Sequence, residues 1–308
     1  MYHGVIPIYK EAGMTSHDVV FKARKILGMK KIGHTGTLDP DVTGVLPLVL
    51  GQATKLTEYM QERDKAYTAE VTLGVSTVTE DASGEVIEQA EVPELDTAEI
   101  DKAIQSFTGE YHQQVPLYSS VKVNGKKLYE YARAGIEVER PVKTVFIKDI
   151  ERTDDIVRKD GTLTFNIEVL CTKGTYIRTL AVDIGKKLGV PAHMSHLVRN
   201  ASCGFTISQA VTLSELSEMN PEEVIQPVEN IITEENTIHI SDEDLFFKIR
   251  NGQKIYKNDM IKYVDGSSVT SGYIVFKHEG KVIALYMEHP KKPDELKPFK
   301  MFTSDIDI

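Results

Sequence analysis

An α+β architecture with a small β-rich domain at its C-terminal end is what the sequence predicts, and three observations carry that expectation. KAYTAEVTLGV alternates cleanly, with Tyr67, Ala69, Val71 and Leu73 on one face and Thr68, Glu70 and Thr72 on the other, the period of a strand with one buried side. TKGTYIRTLAVDIGKKLGVP places Ile177, Leu180, Ala181, Ile184 and Leu188 on a helical stripe that Gly189 and Pro191 stop. Strands and helices then mix without the regular βαβ spacing of a doubly wound sheet.

The other elements follow in order. VIPIYK reads as a strand. A helix comes next with Thr15 or Ser16 as N-cap, apolar positions Val19, Val20, Ala23, Ile26 and Leu27, and Gly28 as its stop. A glycine-rich loop separates it from the alternating strand. A further helix is expected from about Thr97 to Phe107. From Tyr111 to Arg140 the chain becomes rich in Tyr, Lys and Arg around an Asn-Gly turn. Strands resume near Val145–Ile150 and Thr164–Cys171. The acidic stretch Asn200–Phe247 reads as partly helical and linker-like. KIYKNDMIKYVDGSSVTSGYIVFKHEGKVIALYMEH then gives short strands with Asp-Gly and Glu-Gly turns. The expected division is a catalytic domain over 1–236 and a terminal domain over 237–308.

Length and composition agree with two soluble domains. The chain has 308 residues, 41% of them hydrophobic and 27% charged. No apolar run approaches the roughly 18 residues that a membrane span needs. MYHGVIPIYK lacks the basic n-region and long apolar segment of a signal peptide. Two cysteines, Cys171 and Cys203, are too few for a disulfide framework or a cysteine-rich zinc site, so a reduced, cytoplasmic compartment is expected. The net charge of −10 argues at first against a nucleic-acid partner. Its distribution reverses that argument. Ser76–Asp101 holds nine acids and Asn200–Phe247 ten, with no Lys or Arg in either stretch. Outside these runs 36 basic residues face 27 acids, which leaves room for a basic face beside acidic, solvated surfaces.

One carboxylate stands out. In KIGHTGTLDPDVTGVLPLVLGQATK, Asp39 sits on a turn among glycines, threonines and prolines, and Pro40 biases it away from helix. Gly33 and Gly36 are expected to allow tight turns or close approach of a ligand. Taken alone, GHTGTLDP reads more readily as a structural turn than as a site. His34, Asp39 and Asp41 would also serve as metal ligands, but no helical HxxxH or paired-cysteine spacing supports that. Tyr67 shares a face with apolar residues, so periodicity alone makes it a core residue. Arg178 lies in the first turn of the amphipathic helix. Such an arginine is usually at the surface, yet facing a carboxylate it would orient that group through charge-assisted hydrogen bonds.

GHTGTLDPDVTGVLPLVLGQATK, DKAYTAEVTLG, SVKVNGKKLYEYARAGIEVER, CTKGTYIRTLAVDIGKKLG and PAHMSHLVR, in this order and spacing, resemble the bacterial TruB family, the tRNA pseudouridine-55 synthases. The likeness runs from about Gly4 to about Phe205 and is looser in the terminal domain, which resembles the family's PUA-like tail. It implies an α+β mixed sheet with flanking helices and a thumb insertion over about 111–140. It also implies isomerisation of one T-loop uridine by base flipping. Carried over by motif, Asp39 is the nucleophile. His34 sits by the flipped nucleotide, and Tyr67 stacks on the target base and takes part in proton transfer from the ribose. Tyr176 lines the base pocket, Arg178 pairs with the catalytic carboxylate, and Leu197 belongs to the apolar pocket. Lys10 of the N-terminal motif contributes to substrate binding. Lys122, Lys126, Lys127, Arg133 and Arg140 of the thumb would meet phosphates. Lys248, Arg250, Lys254 and Lys257 would reach the acceptor stem.

An isomerisation involves no redox, group transfer or hydrolysis, so neither cofactor nor metal is expected, nor an obligate protein partner, and the working form is expected to be a monomer. Asp41 reads as a solvated neighbour. Two departures bear on loop geometry: Glu11 stands where the family's N-terminal motif has a proline, with Lys10 and Gly13 kept, and VPLYSSVK carries one proline fewer than the family's thumb. Two further readings fit the same residues. A tRNA-folding chaperone would use the same surfaces without needing Asp39. A nucleosidase or glycosidase would use Asp39 to release free base.

Overall fold

A computed structural model of the chain describes residues 1–232, 237–260 and 273–302. The first strand, β1 (Gly4–Lys10), is almost wholly buried. The helix α1 (Ser16–Leu27) starts at Thr15, whose side chain caps the Asp18 amide while Asp18 caps back, and Gly28 ends it in a left-handed conformation at φ 62°. Thr15 rather than Ser16 is the cap, because Ser16 is taken by another partner: its hydroxyl accepts from the Leu38 amide at 2.8 Å and donates to the Leu38 carbonyl. β2 (Ile32–His34) and β3 (Thr43–Leu50) flank the loop that carries Asp39. α2 (Thr57–Gln61) leads into β4 (Lys65–Leu73), whose burial alternates as its sequence does.

After β4 come a small hairpin of β5 (Val75–Thr77) and β6 (Val86–Gln89), the helix α3 (Thr97–Gln105) and β7 (Gly109–Gln114). The thumb follows as a short hairpin, β8 (Lys122–Val123) and β9 (Lys126–Lys127), and the helix α4 (Leu128–Ala134). Asn124 and Gly125 take φ of 49° and 83°, as a tight hairpin turn with an Asn-Gly pair requires. The chain re-enters the sheet through β10 (Val142–Arg152), β11 (Val157–Lys159) and β12 (Thr162–Cys171), and then forms α5 (Ile177–Lys187) and β13 (Ala192–Ser202). The strand order is β1-β3-β13-β4-β12-β10-β7, and a parallel β3–β13 pair makes the sheet mixed. Helices α1 and α5 cover one face through Val19, Val20, Ala23, Leu180, Ala181 and Ile184.

The acidic stretch from Asn200 is not a linker. β14 (Phe205–Thr206), α6 (Leu213–Glu218) and α7 (Val228–Ile231) run back along the first strand, with bridges from Val211 to Ile8 and from Gln226 to Val5. Glu215, Glu218, Glu222 and Glu223 are exposed, while Leu213 and Leu216 join the main core and Val228 and Ile231 a second one. The terminal sheet comprises β15 (Thr237–His239), β16 (Ile255–Tyr256), β17 (Tyr273–His278), β18 (Lys281–His289) and β19 (Lys292–Met301), with α8 (Glu243–Arg250) beside it. Glu279 and Gly280 make the expected turn with φ of 49° and 78°. The Asp-Gly turn expected at 265–266 lies outside the described residues. Val275, Val282, Leu285 and Phe302 pack on Val5, Val45, Val49 and Leu56, so the terminal sheet shares an apolar core with the larger one.

One contact fixes how β3 meets β13. Gly44 has φ 113°, and a Cβ there would stand 2.3 Å from the Arg199 carbonyl oxygen and 2.6 Å from its amide nitrogen. Only glycine permits that approach. Gly44→Ala is therefore expected to destabilise the fold by more than about 2 kcal/mol through backbone strain and overpacking. A urea denaturation midpoint indistinguishable from wild type would contradict this.

Candidate active site

The loop carrying Asp39 is held at almost every backbone group. Lys10, fully buried, donates from Nζ to the Pro40 carbonyl at 2.8 Å and to the Glu11 carbonyl at 2.9 Å. The Gly13 amide donates to the same Pro40 carbonyl at 3.0 Å. Ser16 clasps Leu38 from α1, and the Val42 amide closes a turn on the Asp39 carbonyl at 3.1 Å. Arg199, 2% exposed, donates from Nε to the Val45 carbonyl and from Nη2 to the Gly36 carbonyl. Gly33 and Gly36 do not use left-handed backbone, and a Cβ at Gly36 would make only ordinary contact with Arg199. The loop's shape thus comes from its anchors rather than from glycine freedom.

Asp39 itself projects from this frame with 47% of its side chain exposed, while the partner beneath it, Arg178, has 10%. Arg178 Nε lies 3.4 Å from Asp39 Oδ2, and Nη1 lies 3.5 Å from Asp81 Oδ2. Nη1 also donates to the Thr79 carbonyl at 3.0 Å and Nη2 to the Tyr118 carbonyl at 3.1 Å. The guanidinium is thus compensated by hydrogen bonds to two carbonyls and by ion pairs with two carboxylates. Asp81 is fixed in turn by Thr79 Oγ1 at 2.7 Å and by the Ser83 hydroxyl and amide.

Tyr67 and Leu197 face the core that α5 covers, and Tyr176 immediately precedes α5. Tyr67, 8% exposed, pairs in register with Arg199, and Leu197, 9% exposed, with Ala69. Burial pushes the Tyr67 phenol above its ordinary value, with Arg199 opposing, so the hydroxyl stays protonated at neutral pH. Tyr176 is the residue before α5, and Gln113, itself buried, holds its backbone from both ends, donating to its carbonyl at 2.8 Å and accepting from its amide at 2.7 Å. Burial raises the Tyr176 phenol as well, against the Ser119 hydroxyl and the Arg178 charge. His34 accepts at Nδ1 from the Gly36 amide, which puts the proton of the neutral ring on Nε2. Lys10 is a structural anchor here: burial lowers its pKa, and Asp41 and Asp39 act against that.

The thumb cations separate into two groups. Lys122, Lys126 and Arg133 are exposed, and Lys127 and Arg133 flank the Tyr129 ring at 5.4 Å and 5.3 Å. Arg140 is not with them. It pairs with Glu80 Oε1 at 3.3 Å and with Gln114 Oε1 at 2.7 Å. A groove of about 600 Å³ runs along the thumb between Leu117, Tyr131, Ile136 and Arg140, whereas Asp39 stands at an open surface. Among the described residues no group of three His, Cys, Asp or Glu side chains is placed to hold a metal ion.

Asp81, Glu80, Gln113 and Arg199 are residues the sequence pattern did not single out. Asp81 and Glu80 were hidden in an acidic run that otherwise lies at the surface. Arg199 left a trace: it stands two residues beyond Leu197, on the apolar face of a strand, where a charge must be buried and paired.

Burial holds His34 below the usual imidazole range, with the Gly36 contact opposing. The unfolded chain then takes up the proton first, so stability is present above about pH 6.5 and is lost as pH falls below it. Between about pH 7.5 and 5.5 the wild type should lose more urea stability than His34→Gln. Equal losses in the two proteins would rule the effect out.

Comparison with known proteins identifies the family of the chain. Residues 24–177 match the TruB family pseudouridylate synthase N-terminal domain, and 178–233 match the tRNA pseudouridylate synthase B C-terminal domain. The tRNA pseudouridine synthase B of Staphylococcus haemolyticus is 49% identical over 98% of this chain and 100% of its own. That of Bacillus pumilus is 47% identical over 99% of both. Among solved structures, an H/ACA RNP bound to a substrate RNA containing 2'-deoxyuridine superposes with a TM-score of 0.69 at 23% identity, over 97% of this chain and 85% of that one, a likeness of fold. A Cbf5-Nop10-Gar1 complex gives 0.67 at 25% identity, over 97% of this chain and 85% of that one. The chain belongs to the TruB family of pseudouridylate synthases.

Proposed function

We propose that the chain is a tRNA pseudouridine synthase, an isomerase that converts the T-loop uridine at position 55 with Asp39 as nucleophile. The observation that carries this reading is the half-exposed Asp39 carboxylate paired with the buried Arg178, with Tyr67 and Leu197 facing the core under α5 and Tyr176 at its start, in a chain of this family.

The reaction breaks the bond from uracil N1 to the ribose C1′, turns the base, and forms a bond from C5 to C1′; the C5 proton is lost and N1 gains one. A uridine inside a folded loop must be extruded first, at about a few kcal/mol of lost stacking. Aromatic faces recover part of that, on the order of 1–3 kcal/mol per stacked base. Tyr67 and Tyr176 provide those faces and stay protonated, so they act as neutral surfaces and hydrogen-bond donors. Asp39 supplies the negative charge that meets the electron-poor sugar carbon, as in glycoside chemistry. Arg178 holds that carboxylate in one orientation, and His34 presents an Nε2 proton beside the loop.

The tRNA would lie across the thumb, with Lys122, Lys126, Lys127 and Arg133 on phosphates of the T-arm. Lys248 and Arg250, exposed on α8, with Lys254 and Lys257, would extend the contact to the acceptor stem. The same reading takes 1–236 as the catalytic domain, 237–308 as an RNA-binding domain, and the working form as a cytoplasmic monomer. Among the described residues no helix is long and apolar enough to cross a membrane.

Chemical mapping of pseudouridine in unmodified tRNA transcript, with EDTA present and no cofactor added, tests the reading. One new pseudouridine in the T-loop is expected with wild type and none with Asp39→Asn. Tight tRNA binding by wild type without any modification would instead favour an RNA chaperone and reduce Asp39 to a turn residue. Release of free uracil would favour a glycosidase.

A further inference from the structure

Arg140 has the sequence setting of a phosphate contact but the surroundings of a clasp. It lies one residue before Pro141, where the thumb rejoins the sheet, and Gln114, which takes its Nη2, lies where the thumb leaves. The Val115 amide closes the same junction on the Pro141 carbonyl at 2.9 Å. Only 27% of the Arg140 side chain is exposed and 15% of its partner Glu80. A pair so enclosed is weakly screened by salt.

Glu80 then leads to the chemistry. Its other oxygen, Oε2, accepts from Thr179 Oγ1 at 2.6 Å, and Thr179 is the residue after Arg178. Its chain neighbours are Thr79 and Asp81, both of which hold the Arg178 guanidinium. The backbone of Glu80 is left-handed at φ 66°, a conformation that a residue with a Cβ keeps only where its surroundings over-determine it. Those surroundings are its amide on the Thr77 carbonyl at 3.2 Å, its carbonyl under the Met194 amide at 3.1 Å, and the two side-chain bonds. From the thumb side, the Tyr118 carbonyl reaches the same guanidinium. The base of the thumb and the partner of Asp39 are therefore joined twice, through Tyr118 and through Arg140–Glu80.

We propose that Glu80 and Arg140 are positioning residues that register the thumb on Arg178, so that an RNA-loaded thumb and an oriented Asp39 occur together, and that Arg140 does not contact phosphate. This deepens the proposed tRNA-modifying function and rests on it. A phosphate contact contributes to affinity and to its salt dependence, whereas a positioning residue contributes to the rate of the bound complex.

The test uses full-length protein and unmodified tRNA transcript, with binding measured across a potassium chloride series and single-turnover rates measured at saturating enzyme. Arg140→Gln and Glu80→Gln are expected to slow the bound complex by about tenfold, the scale of a small misplacement of a catalytic group, while affinity and salt slope stay within about twofold of wild type. Lys126→Gln is the comparator, and should weaken binding and lower the slope by about 0.7–0.9. Exchanging the pair, Glu80→Arg with Arg140→Glu, should recover rate lost by either reversal alone. An Arg140→Gln protein that behaves like Lys126→Gln, or a Glu80→Gln protein with wild-type rate, overturns the proposal.

Amide hydrogen exchange without RNA separates this proposal from the function it rests on. Faster exchange of the Val115 and Tyr129 amides in Glu80→Gln supports the coupling even if wild type makes no pseudouridine. Unchanged exchange overturns the coupling whatever the activity.

Discussion

Arg178 is the constraint on which the rest depends. A guanidinium with a tenth of its surface in water must be compensated, and it is, by hydrogen bonds to the carbonyls of Thr79 and Tyr118 and by ion pairs with Asp39 and Asp81. These four come from three places in the chain: the loop before β3, the turn after β5, which gives both Thr79 and Asp81, and the root of the thumb. Satisfying one buried charge thus assembles the site. It also sets the direction of Asp39, because the planar fork accepts a carboxylate in a limited set of orientations.

The second requirement is that the loop under Asp39 should not give. Most of its anchors are side chains that donate to backbone carbonyls, from Lys10, Ser16 and Arg199. Two of the three are buried cations, and Asp39 and Asp41 lie close to one of them, Lys10, although the chain as a whole carries −10. Local arrangement and not net charge decides what such a surface attracts. The close approach of Gly44 to Arg199 links this loop to β13 and, through β4, to Tyr67.

Much of this was legible in the sequence for identifiable reasons. Strict alternation around Tyr67 and the Ile177 stripe are signals from burial on one face, and both elements stand where the periodicity put them. Asp39 and Arg178 could be grouped only through a family resemblance, because their contact joins a loop and a helix far apart in sequence. Periodicity alone made Tyr67 a core residue, and by burial it is one; what it left out is that a core face can open onto a site. The acidic runs misled for a physical reason. Charge count does not distinguish a carboxylate facing water from one facing an arginine, so Glu80 and Asp81 looked like their exposed neighbours. In the stretch after Asn200 the acids outnumber Leu213, Leu216, Val228 and Ile231, and these few apolar contacts nonetheless tie the segment to the cores. Arg140 illustrates the same limit, since a cation in a basic thumb gives no sign in sequence of a carboxylate brought to it from sixty residues away.

The account stands or falls on the planar bridge between Asp39 and Asp81. Arg178→Lys keeps the charge but replaces the fork by a compact ammonium with three donors, unable to serve both carboxylates and both carbonyls. The decisive measurement is the single-turnover rate of pseudouridine formation in this variant at saturating enzyme, with tRNA affinity measured alongside. The account predicts a rate at least about a hundredfold below wild type with affinity nearly unchanged, the pattern of an interaction that acts on the reacting complex. A rate within a few-fold of wild type would show that charge alone suffices at this position and would contradict the central role given to its geometry.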